Sequence, residues 1–268
     1  MSSPTDPQYP RRVFITGAST GLGAGLARHY GGPGTVLGLV ARRSRELNIV
    51  ADELRSRGSE VHVYTQDVSD TAAMKDVVDH YLTDAGGADL VIANAGVAVR
   101  NAMLEGEVDE VAWMMGVNIL GVANTVIPFI PRMVSQRGGV LIAMASVAGH
   151  RALPGRTAYC ASKAAVISLM NGLRLDLRGT GVHAMAICPG FVATPLTADV
   201  SGKWFEIDVS TAVRSIVRAI ERRRRTFTFP LPVNLFRFLV TRLPEGCLRW
   251  VSPPPRTHTS GRFADVRD

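Results

Sequence analysis

An apolar run, Arg12-Val13-Phe14-Ile15-Thr16, leads without a break into Gly17-Ala18-Ser19-Thr20-Gly21-Leu22-Gly23 and a helix-forming stretch from about Leu22 to Tyr30. That order constrains the fold more than any other feature of the chain. A strand that feeds a glycine-rich turn and then a helix brings free backbone N–H groups and the positive end of a helix dipole to one place, where a diphosphate binds. Gly17 permits the tight turn, while Gly21 and Gly23 let backbone and helix approach closely. The spacing is G-x-x-x-G-x-G rather than the tighter G-x-G-x-x-G, so the loop taken alone also admits a turn selected for packing.

Beyond the loop, strands and helices alternate. Thr35 to Ala41, Val61 to Thr65, Leu90 to Ala93, Val140 to Ala145 and Val182 to Ile187 read as strands, with Thr226 to Phe229 as a further one. Ser44 to Arg57, Thr71 to Asp84 and Thr157 to Arg178 read as helices, and Asp109 to Ser135 as a helical stretch interrupted by Pro128 and Pro131. This alternation predicts an α/β fold: a Rossmann-like, doubly wound parallel sheet of about seven strands with helices on both faces. Ligands bind such sheets at the carboxyl ends of the strands. Residues 1–268 are expected to form one dinucleotide-binding catalytic domain, with 230–252 a C-terminal amphipathic segment and 253–268 a flexible tail.

The formal net charge of +7 is concentrated at Arg11-Arg12, at Arg42-Arg43-Arg45 and at Arg222 to Arg225. Such clusters meet phosphates, nucleic acid or anionic membranes. A phosphate-bearing cofactor accounts for the second cluster, and no nucleic-acid module is present in the sequence. Cys160, Cys188 and Cys247 are odd in number and the histidines are scattered, so no metal site is expected and a reducing, cytoplasmic setting is. No secretory signal is read at the N-terminus, and no uninterrupted apolar run approaches the ~20 residues of a membrane span.

About twenty residues past a glycine loop, dinucleotide enzymes carry an acid for the ribose 2′-hydroxyl of NAD or an arginine for the 2′-phosphate of NADP. Here the second strand ends Val40-Ala41-Arg42-Arg43, with no acid, and Arg42 predicts NADP. Asp67-Val68, after the third strand, is placed to meet the adenine, although an Asp there equally suits a helix N-cap. Tyr159 and Lys163 stand one helical turn apart on one face. A phenol of pKa ~10 needs ~4 kcal/mol to reach ~7. An ammonium about 4 Å away supplies roughly that at an effective dielectric of 20. Ser146 closes the fifth strand, where its hydroxyl can hold a substrate oxygen beside the phenol, and Asn118 is a polar residue within an apolar helix that also reads as a core amide.

With these residues in view, the chain resembles the short-chain dehydrogenase/reductase family from about Arg12 to Thr194. The family pattern T-G-x-x-x-G-x-G falls on Thr16 to Gly23, its N-A-G motif on Asn94-Ala95-Gly96, and its catalytic tetrad on Asn118, Ser146, Tyr159 and Lys163. The resemblance implies that Gly17, Ser19, Thr20, Gly21, Leu22 and Gly23, with Asn94, Ala95 and Gly96, hold the cofactor. It further implies that Lys163 also binds the nicotinamide ribose beside Tyr159 and that Asn118 holds a water in a proton relay. The P-G motif falls on Pro189-Gly190, followed by Val192 and Thr194, which in relatives contact the nicotinamide amide. Two positions depart from the pattern. Ala93 replaces a frequent asparagine, and Thr20 stands where many NADP-using relatives carry a second basic residue, so NAD stays open as a cofactor.

The expected activity is therefore interconversion of a secondary alcohol and a ketone or aldehyde, with NADP preferred. The alternatives are a nucleotide-sugar epimerase or dehydratase, which usually carries T-G-x-x-G-x-x-G and a longer substrate domain, and a non-catalytic NADP-binding regulator. His150 and Arg151 are pocket candidates, and Pro195 to Asp208 is expected to cover the site, with Leu196, Trp204 and Phe205 hinting at an apolar small-molecule substrate. A homo-oligomer is the expected state. The basic cluster beside the amphipathic segment suggests peripheral membrane contact, against a helix packed on the fold.

Overall fold

The computed structural model describes residues 10–99, 103, 106–152, 155–198 and 205–240, the last five of these by backbone alone. Seven strands form one sheet in the order β3-β2-β1-β4-β5-β6-β7. These are β1 (Arg12–Thr16), β2 (Val36–Ala41), β3 (Glu60–Thr65), β4 (Leu90–Ala93), β5 (Gly139–Met144), β6 (Val182–Pro189) and β7 (Thr226–Phe229). Every pairing is parallel. Strand order reverses beside β1, which pairs with β2 on one side and β4 on the other, and a crevice opens at their carboxyl ends.

The strands read as near-continuous apolar runs because both faces are covered. Alternation along them divides the core. Val13, Ile15, Leu37 and Leu39 face α1 (Gly21–Tyr30), α2 (Ser44–Ser56) and, later in the chain, the helix Val209–Glu221. Phe14, Val40 and Val91 face α3 (Thr71–Ala85), α4 (Val108–Gln136) and α5 (Thr157–Asp176). On that second side Phe14 packs 5.1 Å from Tyr81 and 4.9 Å from Phe129, centroid to centroid.

Three features differ from the sequence reading. The first is α6 (Val209–Glu221), which was not anticipated. Its apolar positions Val213, Ile216, Val217 and Ile220 recur at helical spacing, and Asp208 caps it by accepting from Thr211 N. The second is α4, which is not broken at its prolines. It runs through a π-helical turn, Gly116–Leu120, and a 3-10 turn, Ile127–Phe129, that absorbs Pro128. Short apolar pieces thus join into the one helix, among the described residues, long and apolar enough to cross a membrane by length and composition. Half of its apolar stretch is buried, and packing against β4, β5 and α5 accounts for that apolarity.

The third is α7 (Leu231–Val240), which covers only the start of the C-terminal segment. Val233 lies against Gly190, while Leu231 and Leu235 are exposed, so this part of the segment packs on the fold by one face. The remaining parts of 230–252 and 253–268, with Cys247, lie outside the described residues.

Candidate active site

The glycine loop and the end of β4 are bound to each other. Thr16 Oγ1 accepts from Asn94 N at 3.1 Å and Ala95 N at 3.3 Å, and Asn94 Nδ2 donates to Thr16 O at 3.0 Å and Gly17 O at 3.1 Å. Gly17 has φ +66°, and a Cβ there would stand 2.8 Å from Asn94 Nδ2 and 2.9 Å from Ala95 Cα. Thr20 is the N-cap of α1 but makes no capping bond with its side chain, and the first turn carries no acid. The amides at this helix start therefore face the crevice without a protein anion to meet them.

One cleft gathers Gly17, Ser19, Thr20, Gly21, Leu22, Arg42, Asp67, Val68, Asn94, Ala95, Gly96 and Thr194. Gly23 lies beneath that surface rather than on it, and Pro189, Gly190 and Val192 are not in its lining. Gly190 donates to Phe229 O at 2.7 Å, and Val192 is buried and bridges to Ile207. A dinucleotide fits this donor set: a helix start for the diphosphate, a carboxylate and an apolar wall for the adenine, and arginines for a further phosphate.

The arginines divide their contacts. Arg42 Nη1 is 3.6 Å from Asp67 Oδ2, and its guanidinium lies 5.9 Å from the Trp113 ring centroid. Arg43 Nη2 donates to Thr20 Oγ1 at 2.9 Å and approaches Ser19 Oγ at 3.4 Å. Sequence reasoning assigned Arg42 alone; the doubled arginine was the signal that Arg43 belongs here too. Asp67 is not a helix cap, since Asp70 caps α3 and Asp67 Oδ1 instead accepts from Ser69 N and Ser69 Oγ. Val68 O accepts from Asn124 Nδ2 at 2.9 Å, which ties this wall to α4.

Ser146 caps a short 3-10 turn, Val147–Gly149, just past β5, and its hydroxyl shares a hydrogen bond with the Tyr159 phenol. Lys163 is buried one turn along α5, with Nζ 5.8 Å from the Tyr159 ring centroid and donating to Met144 O at 2.9 Å. The phenol is raised rather than lowered, contrary to the expectation from the Tyr159–Lys163 spacing. Burial pushes the Tyr159 phenol up, and the Ser146 hydrogen bond and the Arg156 charge offset this only in part. Burial also brings the Lys163 ammonium down to about 8. Lys163 lies beside the ring and spends a proton on a carbonyl, so desolvation outweighs its pull on the phenolic oxygen.

Asn118 occupies the π-helical turn and is fully buried. Its Oδ1 accepts from Val97 N at 2.9 Å, and its Nδ2 donates to Val97 O at 2.9 Å and Ser162 Oγ at 3.0 Å. Ser162 Oγ donates in turn to Tyr159 O at 2.8 Å. The Asn118 amide thus ties the backbone after Asn94-Ala95-Gly96 to the helix that carries Tyr159. Ser162 was missed because a serine inside a helix gives no signal in sequence. A Cβ on Gly96 would stand 3.2 Å from both Lys163 Nζ and Asn118 Oδ1, so the N-A-G segment and the tetrad meet there.

The peripheral candidates separate. His150 Nε2 is 3.4 Å from Thr228 Oγ1 on β7, one short turn past Ser146. Leu196 lines the cleft rim and Phe205 is exposed, while Trp204 lies outside the described residues. The histidines are less scattered than they read, because His62 and His80 both approach Asp84 Oδ2, at 3.3 and 3.2 Å. Among the described residues, no group of three or more His, Cys, Asp or Glu is arranged to hold a metal ion.

The short chain dehydrogenase family profile matches residues 11–203. An uncharacterized oxidoreductase from Myxococcus xanthus is 36% identical over 244 residues, covering 89% of this chain and 96% of that protein. The mouse 17-beta-hydroxysteroid dehydrogenase 13 is 30% identical, covering 83% of this chain and 75% of its own. A short chain dehydrogenase/reductase from Burkholderia phymatum, solved in complex with NAD, superposes with a TM-score of 0.79 at 27% identity and covers 93% and 98% of the two chains.

Proposed function

The chain belongs to the short chain dehydrogenase family of oxidoreductases acting on CH–OH groups, and we propose that it interconverts a secondary alcohol and a ketone or aldehyde with NADP as its preferred cofactor. The observation that carries this reading is the Ser146–Tyr159 hydrogen bond, with Lys163 buried beside it and the dinucleotide-shaped cleft adjoining. When bound, the nicotinamide supplies or takes a hydride. Tyr159 handles the accompanying proton. In reduction its phenol gives that proton to the carbonyl oxygen, and in oxidation it takes the proton from the hydroxyl. Ser146 steadies the same oxygen. Asn118 and Ser162 hold the helix of Tyr159 in register with the cofactor-facing loop.

The proton assignment has a pH signature. With the phenol held above its ordinary value by burial, Tyr159 is protonated at neutrality and ready for reduction without loss. Oxidation needs the phenolate, so its kcat should climb by up to about tenfold per pH unit below the plateau. Reduction should stay flat over the same range. Lys163, at about 8, loses its charge as pH rises further, and the oxidation profile should bend there. Rate profiles in both directions check this. An oxidation rate indifferent to pH between about 6 and 8 would exclude Tyr159 as the base.

Cofactor choice rests on the two arginines. NAD is bound by the Burkholderia phymatum protein, but here no acid follows β2, and Arg42 and Arg43 both line the cleft. Arg42→Ala should weaken NADPH by about 1.5–3 kcal/mol, the range for hydrogen bonds to charged groups, and spare NADH. Arg43→Ala should act in the same direction. Titration of both cofactors against the wild type and both variants tests the preference. Equal losses for NADPH and NADH would mean that the arginines act through folding rather than through the phosphate. A homo-oligomer and peripheral membrane contact belong to this reading too, supported by exposed Leu120 and Ile127 on α4 and Leu231 and Leu235 on α7.

A further inference from the structure

The strongest unassigned feature lies at the other end of the sheet. β6 runs from Val182 to Pro189, so its amino end is roughly 23 Å from the catalytic edge at ~3.3 Å per residue. There a concavity is lined by Arg174, Arg178, His183, Arg223 and Arg225 over an apolar floor that includes Leu177 and Val182. Among the described residues, no Asp, Glu, Phe, Tyr or Trp lines it.

Two of the basic groups are used by the fold. Arg174 donates to Ala184 O at 3.2 Å, Arg225 O at 2.6 Å and Asn171 Oδ1 at 2.9 Å, and His183 Nε2 donates to Arg224 O at 3.0 Å. The guanidinium groups of Arg178, Arg223 and Arg225 have no such role: none makes a hydrogen bond or ion pair among the described residues. Helix ends do not account for them. The carboxyl ends of α5 and α6 converge here and together offer about one negative charge. Asp176 and Glu221, the last residues of these two helices, add two more, against Arg174, Arg178 and Arg222 to Arg225. Like charges therefore gather in excess, Arg178, Arg223 and Arg225 on the exposed rim, and the Arg225 charge adds to burial in weakening the hold of Arg174 on its proton. A cluster that repels itself, with too few acids among the described residues to neutralise it, suits an anion from outside.

We propose that this concavity is a second binding site, for the phosphate group of an organic phosphate monoester, separate from the cofactor cleft. Guanidinium forks match phosphate oxygens in geometry, and several unpaired forks around one hollow suit a dianion better than a carboxylate. Leu175, 74% exposed on the rim, offers contact to an organic group carrying the phosphate. Among the described residues it lacks the Phe, Tyr or Trp platforms on which successive bases of a nucleic-acid strand stack, which favours a single phosphate group. The phosphate can arrive on a soluble metabolite or on a lipid headgroup, and the chemistry is shared.

The test uses the full chain with NADPH present, so that the glycine loop is not the free phosphate site. Glycerol phosphate, a soluble phosphate monoester, is titrated by calorimetry in one arm. Phosphatidylcholine vesicles with and without phosphatidic acid are co-sedimented in the other. Arg178→Gln/Arg225→Gln should weaken binding at least roughly tenfold, the loss of one charged hydrogen bond, while turnover stays at the wild-type level. Arg178→Lys/Arg225→Lys, which keeps both charges, should retain part of the affinity and guards against a folding effect. Arginine-dependent binding of glycerol phosphate assigns a soluble ligand. Arginine-dependent binding of phosphatidic acid vesicles alone assigns a lipid headgroup. No binding in either arm, or binding unchanged in the glutamine variant, overturns the site.

Discussion

Replacing Tyr159 with phenylalanine is expected to lower kcat by about 10²–10⁴-fold, the usual worth of a positioned acid–base group, and to leave cofactor affinity near that of the wild type. The ring is retained, so the packing beneath Lys163, whose Nζ lies 5.8 Å from the ring centroid, survives. What disappears is the phenolic hydroxyl and its hydrogen bond with Ser146. The cleft that gathers Gly17, Arg42 and Asn94 does not include Tyr159, so most of the dinucleotide's contacts should be untouched. Steady-state kinetics and cofactor titration on one preparation separate the two effects. Turnover within about tenfold of wild type would remove Tyr159 from the chemistry, and a parallel loss of cofactor affinity would recast it as a binding residue.

The sheet was legible because a parallel sheet covered on both faces writes itself as short apolar runs separated by helical spacing. Val13-Phe14-Ile15 and Leu90-Val91-Ile92 needed no partner to be recognised, and they pair in register across β1 and β4. The course of α4 was less legible. Proline is a reliable breaker only where an N–H is needed, and at Pro128 a local 3-10 turn lets the helix continue. The π-helical turn at Asn118 has no sequence mark at all. Helix α6 is legible in Asp208 and the spacing of Val213, Ile216, Val217 and Ile220, although its basic face, Arg214 and Arg218, leaves no continuous apolar run to mark it.

For the candidate site, residue identity was easier to read than electrostatics. The motifs placed Ser146, Tyr159 and Lys163 together because strand ends and one helical turn fix their spacing. A lowered tyrosine requires the ammonium to act as a point charge about 4 Å from the phenolic oxygen. In three dimensions Lys163 is buried and turned to Met144 O while Tyr159 is partly buried, and desolvation sets the direction for each. Burial is a property of the whole packing and cannot be read from spacing. Arg43 shows the opposite case, since it was visible in sequence but only its bond to Thr20 ties it to the glycine loop.

Gly23→Ala is expected to be among the most damaging single changes away from the reacting groups. Gly23 does not line the cleft, yet a Cβ on it would stand 2.1 Å from Gly17 O and 2.6 Å from Asn94 Nδ2. Neither neighbour can yield cheaply. Gly17 O is backbone at the turn into α1, and Asn94 Nδ2 is held by Thr16 O and Gly17 O. The methyl must therefore push the phosphate-facing loop off the end of β4. Overpacking of this kind costs about 1–3 kcal/mol of stability. Because the displaced atoms are those that shape the cofactor cleft, affinity for NADPH should fall with it. Gly172→Ala supplies the contrast. Gly172 lies within α5, is exposed, and has open space where the methyl would go. There the same substitution should raise stability by about 0.5–1 kcal/mol through helix propensity. Thermal or denaturant unfolding of both variants, with NADPH titration of each, decides the matter. If Gly23→Ala unfolds and binds as the wild type does, the close approach of α1 to the glycine loop is not what holds the cofactor site in shape.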